Sequence, residues 1–177
     1  MEKSTGPAFI MYSACSVDGF IAREDGSVDR LSGYDPDSAW YGEFFDTVDG
    51  LVMGAKTYDQ ISDTGKWAYG NKPCMVLSNL ARKPFRECVE FFTGRVEDAV
   101  DLMREWKLKR VWVVGGASVF TQFHRKRLID DYFIAIVPII LGSGIPLIQS
   151  CDVEVRLTLV SSRALDSGLV LNHYRKI

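Results

Sequence analysis

Residues 111–120 read Val111-Trp112-Val113-Val114-Gly115-Gly116-Ala117-Ser118-Val119-Phe120, and this stretch decides the fold. The Val and Trp run suits a strand covered on both faces, as in a parallel sheet. Gly115 and Gly116 open backbone angles closed to other residues and let another group approach the main chain. The small residues Ala117 and Ser118 open a helix whose first N–H groups lack partners within the helix and favour phosphate. A glycine pair alone is more simply a tight strand–helix turn that holds nothing. The rest of the chain decides between the two.

Further strand-like runs stand at 9–13, 51–53, 74–77, 89–92 and 132–137, with two more at 155–161 and 169–174. Helical periodicity fills the gaps. Trp40, Phe44 and Val48 share one face, as do Val96, Ala99, Val100, Met103 and Trp106, and short helices open at Ala55 and Ala117. Strands alternating with helices predict an α/β fold of three layers. Its central sheet has about eight strands, is mostly parallel, and carries an antiparallel edge from the C-terminal pair. With no repeats, low-complexity segments or linkers, residues 1–177 read as one domain. Two glycine-rich loops exceed what a connector needs. Ser16 to Ser27 leaves the first strand and Pro138 to Leu147 leaves the sixth, at the strand ends where open α/β sheets bind ligands.

Composition narrows the partners. A net charge of -2 argues against nucleic acid or an anionic membrane surface. No apolar run reaches the length of a membrane span, and Met1 to Gly6 lacks the order of a secretory signal, so a cytoplasmic location is expected. Cys15, Cys74, Cys88 and Cys151 show no zinc or redox spacing, and no metal site is expected. His124 to Arg127 closes a helix with cations, His173 has no evident partner, and Trp67, Tyr69 and Trp106 read as packing residues.

Four segments together resemble the dihydrofolate reductase-like superfamily: Ser16 to Ala22, Val52-Met53-Gly54-Ala55-Lys56-Thr57-Tyr58, Val113 to Phe120, and Pro138 to Leu147. The branch they resemble most is the reductase half of the bifunctional riboflavin-biosynthesis deaminase–reductase, with its small stand-alone relatives. The resemblance implies NADPH as cofactor. Its phosphates are expected on Gly54, Lys56 and Thr57 and on Gly115, Gly116, Ala117, Ser118 and Val119. It implies adenosine contacts from Leu77, Ser78 and Asn79, and nicotinamide contacts from Ala14 and Ile21. It also implies a homodimer, for which the apolar segment from Ile134 to Leu147 supplies a motive. The competing reading of that segment is a buried strand with its loop folded back. Lys56 and Thr57 have an ordinary reading too, as a surface lysine and a helix cap.

The activity implied is reduction of an aminopyrimidine, a small heterocyclic substrate, of the 5-amino-6-(5-phosphoribosylamino)uracil type. Where many relatives grip the 2′-phosphate with arginine, this chain has Ala55 and Asn79; Lys56, Arg82 and Lys83 are the available cations. No zinc-deaminase pattern is present. Dihydrofolate reduction is the alternative, with Asp37 as the catalytic carboxylate. Asp35-Pro36-Asp37-Ser38 is also a good helix start, which gives Asp37 a structural role instead. Ile134 replaces the expected pterin-binding hydroxyl. A nucleotide-binding module without catalysis is the third reading.

Overall fold

One hydrophobic cluster on each side of a single sheet organises the part of the chain the structure describes, residues 6–29 and 39–177. In this computed structural model the strands are β1 (Ala8–Ser16), β2 (Phe20–Ala22), β3 (Gly50–Gly54), β4 (Cys74–Leu77) and β5 (Val89–Phe92). They continue with β6 (Arg110–Gly115), β7 (Ile129–Val137), β8 (Ile145–Pro146), β9 (Leu157–Ala164) and β10 (Val170–Lys176). The helices are α1 (Ala39–Asp46), α2 (Ala55–Asp63), α3 (Val96–Glu105) and α4 (Ala117–Arg125). The main sheet runs β5-β4-β3-β6-β1-β7-β10-β9. The pairs from β5 to β7 are parallel, and β10 and β9 add antiparallel ladders.

Local sequence explains the elements. Strand β3 is buried from Gly50 to Met53 and β6 from Val111 to Val113, so neither alternates; a parallel strand with a helix on each face need not. On β1 the pleat divides the core: Phe9 and Met11 face the α3 and α4 side, and Ile10 and Tyr12 face the α1 side. Helix α3 buries Val96, Ala99, Val100 and Met103 at helical spacing, with Glu97 and Asp98 in its first turn and Arg104 in its last, matching the dipole at both ends. Helix α4 buries Phe120 and Phe123 almost completely, each contributing about 1.5–3 kcal/mol of apolar burial.

Three expectations need correction. Strand β9 runs to Ala164 rather than ending at 161, and every residue in it is exposed. It is an edge with water on both faces, so it carries no alternating pattern to read. His173 has partners: its Nε2 lies 2.6 Å from Asp131 Oδ1 and its ring stacks on Phe133 at 4.0 Å. Val48 is buried but lies just beyond the end of α1. The loop after β7 folds back, with the Val17 N–H donating to the Ile139 carbonyl at 2.8 Å, yet strand and loop are not fully buried. Val137 is buried, Ile136, Ile139 and Leu141 are half-buried, and Ile140 is 71% exposed.

The two glycine-rich loops are not independent. Residues from each pair as the β2–β8 ladder, Phe20 opposite Pro146 and Ala22 opposite Ile145. Among the described residues no helix is long and apolar enough to cross a membrane.

Candidate active site

Strands β3 and β6 are neighbours, but the helices that follow them leave on opposite faces. Helix α2 packs Tyr58 into the cluster on the α1 side, and α4 packs Phe120 and Phe123 into the other. Such a divergence opens a crevice at the carboxyl ends of the strands. A cleft of about 710 Å³ occupies it, bounded by Ser13 and Ala14 of β1, Gly54 of β3, Leu77 of β4 and Val114 of β6.

Both helices begin at this cleft with glycine as N-cap and no side-chain cap, Gly54 for α2 and Gly116 for α4. The first N–H groups of each helix therefore have no side-chain acceptor, and both positive dipole ends face the same space. The two turns touch. A Cβ on Gly54 would stand 3.2 Å from Val119 Cγ2, and one on Gly116 would stand 3.4 Å from Thr57 Oγ1. Glycine at position 54 lets the two helix starts approach each other, whereas a Cβ at position 116 would make only ordinary contact. Gly115 and Gly116 are joined by a cis peptide bond, and Gly115 has φ +123°.

Of the residues read from sequence as cofactor contacts, Ala14, Ile21, Gly54, Lys56, Thr57, Leu77, Ser78, Asn79, Gly116, Ala117, Ser118 and Val119 all line this cleft. Gly115 does not. It is buried against the Phe120 ring, and its positive φ turns the main chain, so its part is conformational. Asp37 lies outside the described residues.

The charges divide differently from expectation. Lys56 lines the cleft, but Arg82 and Lys83 do not. The Arg82 guanidinium forks onto Asp59 at 2.6 and 3.0 Å and lies 4.9 Å over the Phe91 ring. That hydrogen-bonded pairing raises the Arg82 pKa and lowers that of Asp59. Arg95, beside Gly94 at the cleft edge, is likewise forked onto Asp98.

The outer wall comes from the first glycine-rich loop, expected at the site as a loop but without its residues named as contacts. Glu24, Asp25, Gly26 and Val28 line the cleft from the loop after β2, and Gln60 Nε2 donates to the Gly26 carbonyl at 3.0 Å. The signals were present: Asp25-Gly26 is a turn dipeptide, and Gln60 sits one helical turn after Lys56.

Beyond the Ala14 end, one pleat down β1, Tyr12 stacks on Phe44 at 4.3 Å and meets Trp112 edge-on at 5.9 Å. Trp112 Nε1 donates to the Tyr12 carbonyl at 3.2 Å. Burial pushes the Tyr12 phenol far above its ordinary value, so it stays protonated. Trp67 is a packing residue: it donates to the Gly70 carbonyl at 3.0 Å and meets Tyr69 edge-on at 5.1 Å. Ile134 packs against the core on the α3 and α4 side and does not line the cleft.

Known proteins share this fold. Among curated relatives, the uncharacterized protein YwjB of Bacillus subtilis (strain 168) is 30% identical over 177 residues, covering 99% of each chain. The structure of a Shewanella sp. PV-4 protein assigned to riboflavin biosynthesis superposes with a TM-score of 0.86 at 27% identity, over 96% of this chain and 99% of that one. The fold also matches a Thermotoga maritima diaminohydroxyphosphoribosylaminopyrimidine deaminase/5-amino-6-(5-phosphoribosylamino)uracil reductase, with a TM-score of 0.76 at 19% identity. That match covers 97% of this chain and 57% of the Thermotoga one. Residues 7–171 match the RibD C-terminal domain family. The chain belongs to that family, a group of riboflavin-biosynthesis reductase-like proteins with the dihydrofolate reductase-like fold.

Proposed function

We propose that this protein is an NADPH-dependent reductase of the riboflavin-biosynthesis type, acting on a heterocycle like 5-amino-6-(5-phosphoribosylamino)uracil. The observation that carries the reading is the pair of uncapped helix N-termini, from α2 and α4, that meet across one cleft through glycine.

The cleft's own chemistry fits a dinucleotide. Two sets of free N–H groups and the Thr57 hydroxyl suit a diphosphate, and Lys56 adds a point charge. Leu77, Ser78 and Asn79 would hold the adenosine end, and Ala14, Ile21 and Ile145 the nicotinamide end. A reduced nicotinamide, when bound, supplies a hydride to an electrophilic carbon of the substrate. The chain's task is then to bind, to orient and to exclude water. The close Gly54–Val119 contact sets the spacing of the two helix starts, and so where the diphosphate is anchored. Ile21 and Ala14 bound the reacting end with apolar surface, which holds a ring in one orientation.

A homodimer belongs to the same reading. Strand β9 presents an open edge of eight exposed residues, with Leu159 54% and Val160 49% exposed. Exposed, apolar edges of this kind are suited to meeting a second copy of the chain.

The deciding assay follows NADPH oxidation with the aminopyrimidine ribosyl phosphate and, in parallel, with dihydrofolate. Oxidation with the aminopyrimidine is the expected result. Cofactor binding without turnover of either compound would make the protein a nucleotide-binding module, and faster turnover of dihydrofolate would make it a dihydrofolate reductase.

A further inference from the structure

The loops leaving β1 and β7 are tied together at several points, and one side chain dominates the tie. Asp18 accepts two main-chain N–H groups from the other loop, Leu141 on Oδ1 at 3.1 Å and Gly142 on Oδ2 at 2.7 Å. Behind it stands Ser16, fully buried, whose hydroxyl oxygen accepts the Phe20 N–H at 3.0 Å. Main-chain bonds complete the seam: Val17 N–H to the Ile139 carbonyl at 2.8 Å, and Leu147 N–H to the Gly19 carbonyl at 2.9 Å.

The seam matters because of what it carries. Strands β2 and β8 have three and two residues, far below the length at which a two-stranded ladder holds itself together. Yet this ladder presents Ile21 and Ile145 to the cleft. Something outside it must fix its register. The Asp18 carboxylate, which does not line the cleft, is the charged acceptor in the seam, and hydrogen bonds to a charged acceptor are the stronger kind.

We propose that Asp18 is a positioning residue. By clasping the Leu141 and Gly142 amides it locks the β2–β8 ladder, and so holds Ile21 and Ile145 as a rigid wall at the nicotinamide end of the cleft. This inference rests on the dinucleotide reading of the cleft. It separates the two ends of the cofactor, because the phosphate end is built on α2 and α4 and no hydrogen bond of the seam involves either helix.

The test compares two ligands on the full chain: NADPH, and 2′,5′-ADP, which carries phosphate but no nicotinamide. Asp18→Ala is expected to bind 2′,5′-ADP as the unmodified protein does and NADPH roughly tenfold more weakly. Asp18→Asn, which keeps one acceptor oxygen, recovers part of that loss, and it carries the comparison by itself if the alanine variant does not fold. NADPH affinity unchanged in both variants, or an equal loss for both ligands, overturns the positioning role while leaving the dinucleotide reading intact. If the unmodified protein binds neither ligand, the dinucleotide reading falls first.

Discussion

Replacing Gly116 tests whether anything sits between the two helix starts. Its φ of −81° and ψ of −158° are open to any residue, and a Cβ there would make ordinary contact with Thr57 Oγ1 at 3.4 Å. The fold therefore tolerates Gly116→Ala and, with small adjustment, Gly116→Val. The cleft does not, because the added carbons fill the space that the N–H groups of α2 and α4 face. A diphosphate pushed off both starts loses at least two hydrogen bonds to a charged group, at about 1.5–3 kcal/mol each. The total of roughly 3–6 kcal/mol weakens binding more than a hundredfold. Alanine, which displaces the ligand less, should lose about one such bond, near tenfold. Fluorescence titration with NADPH reads the affinity, and thermal melting checks the fold. Gly115→Ala is the contrasting control. At φ +123° and 3.0 Å from the Phe120 ring, it should lower the melting temperature before it touches affinity. A Gly116→Val protein that melts with the unmodified one and binds NADPH unchanged would refute the reasoning.

Lys56→Met should weaken NADPH roughly tenfold, whereas Arg82→Ala should leave it alone, because that guanidinium is already held by Asp59; equal affinity of the unmodified protein for NADPH and NADH would remove the role of charge at the ribose. Light scattering at low concentration should give a dimer mass, and a clean monomer would show that the β9 edge is left open to water. The Ser16 hydroxyl, then the Leu141 and Gly142 amides, hold the Asp18 carboxyl at about 2 against an ordinary 3.8. A folded value below the unfolded one stabilises above the ordinary value and fades as pH falls through the folded one, so the difference in melting temperature between the unmodified protein and Asp18→Ala should be level down to about pH 4 and close towards pH 2. Dihydrofolate should be turned over poorly, since β7 offers no hydroxyl from Phe133 to Val137 to pair a pterin amino group, a deficit of roughly 1–3 kcal/mol; brisk turnover that collapses in Asp37→Asn would reverse that ranking.

Much of this architecture is legible because it is written locally. The continuous apolar runs at 51–53 and 111–114, rich in valine and bounded by glycine, read as strands covered on both sides. The turns at Gly54 and Gly115-Gly116 announce themselves by composition. What is not legible is pairing over distance. The β2–β8 ladder joins residues more than a hundred positions apart and is too short to leave a periodic trace. Arg82 looks available until Asp59, 23 residues earlier, proves to hold it. His173 looks solitary until the antiparallel register of β10 on β7 sets it beside Phe133 and within reach of Asp131. Each is a consequence of the fold rather than of a motif, so the residues themselves carry no mark of it.

The two ends of the cleft are made from different material, and this bears on how each responds to substitution. The end proposed to hold phosphate relies chiefly on main-chain N–H groups at two helix starts, with Lys56 and Thr57 beside them. Such a site survives wholesale change of the side chains around it, provided the glycines remain. The far end is the opposite case. Ala14 stands one pleat from a packed cluster of Tyr12, Phe44, Trp112 and Phe133, and its walls come from Ile21 and Ile145 on a ladder held by Asp18. Here the walls are built largely on side chains, and a substitution in them reshapes what fits. A cradle built from backbone therefore depends less on side-chain identity than the far end does. Cofactor affinity and substrate choice should in consequence respond to separate sets of residues, with Asp18 the link between them, since its loop ends where the cofactor's reacting end would meet the substrate.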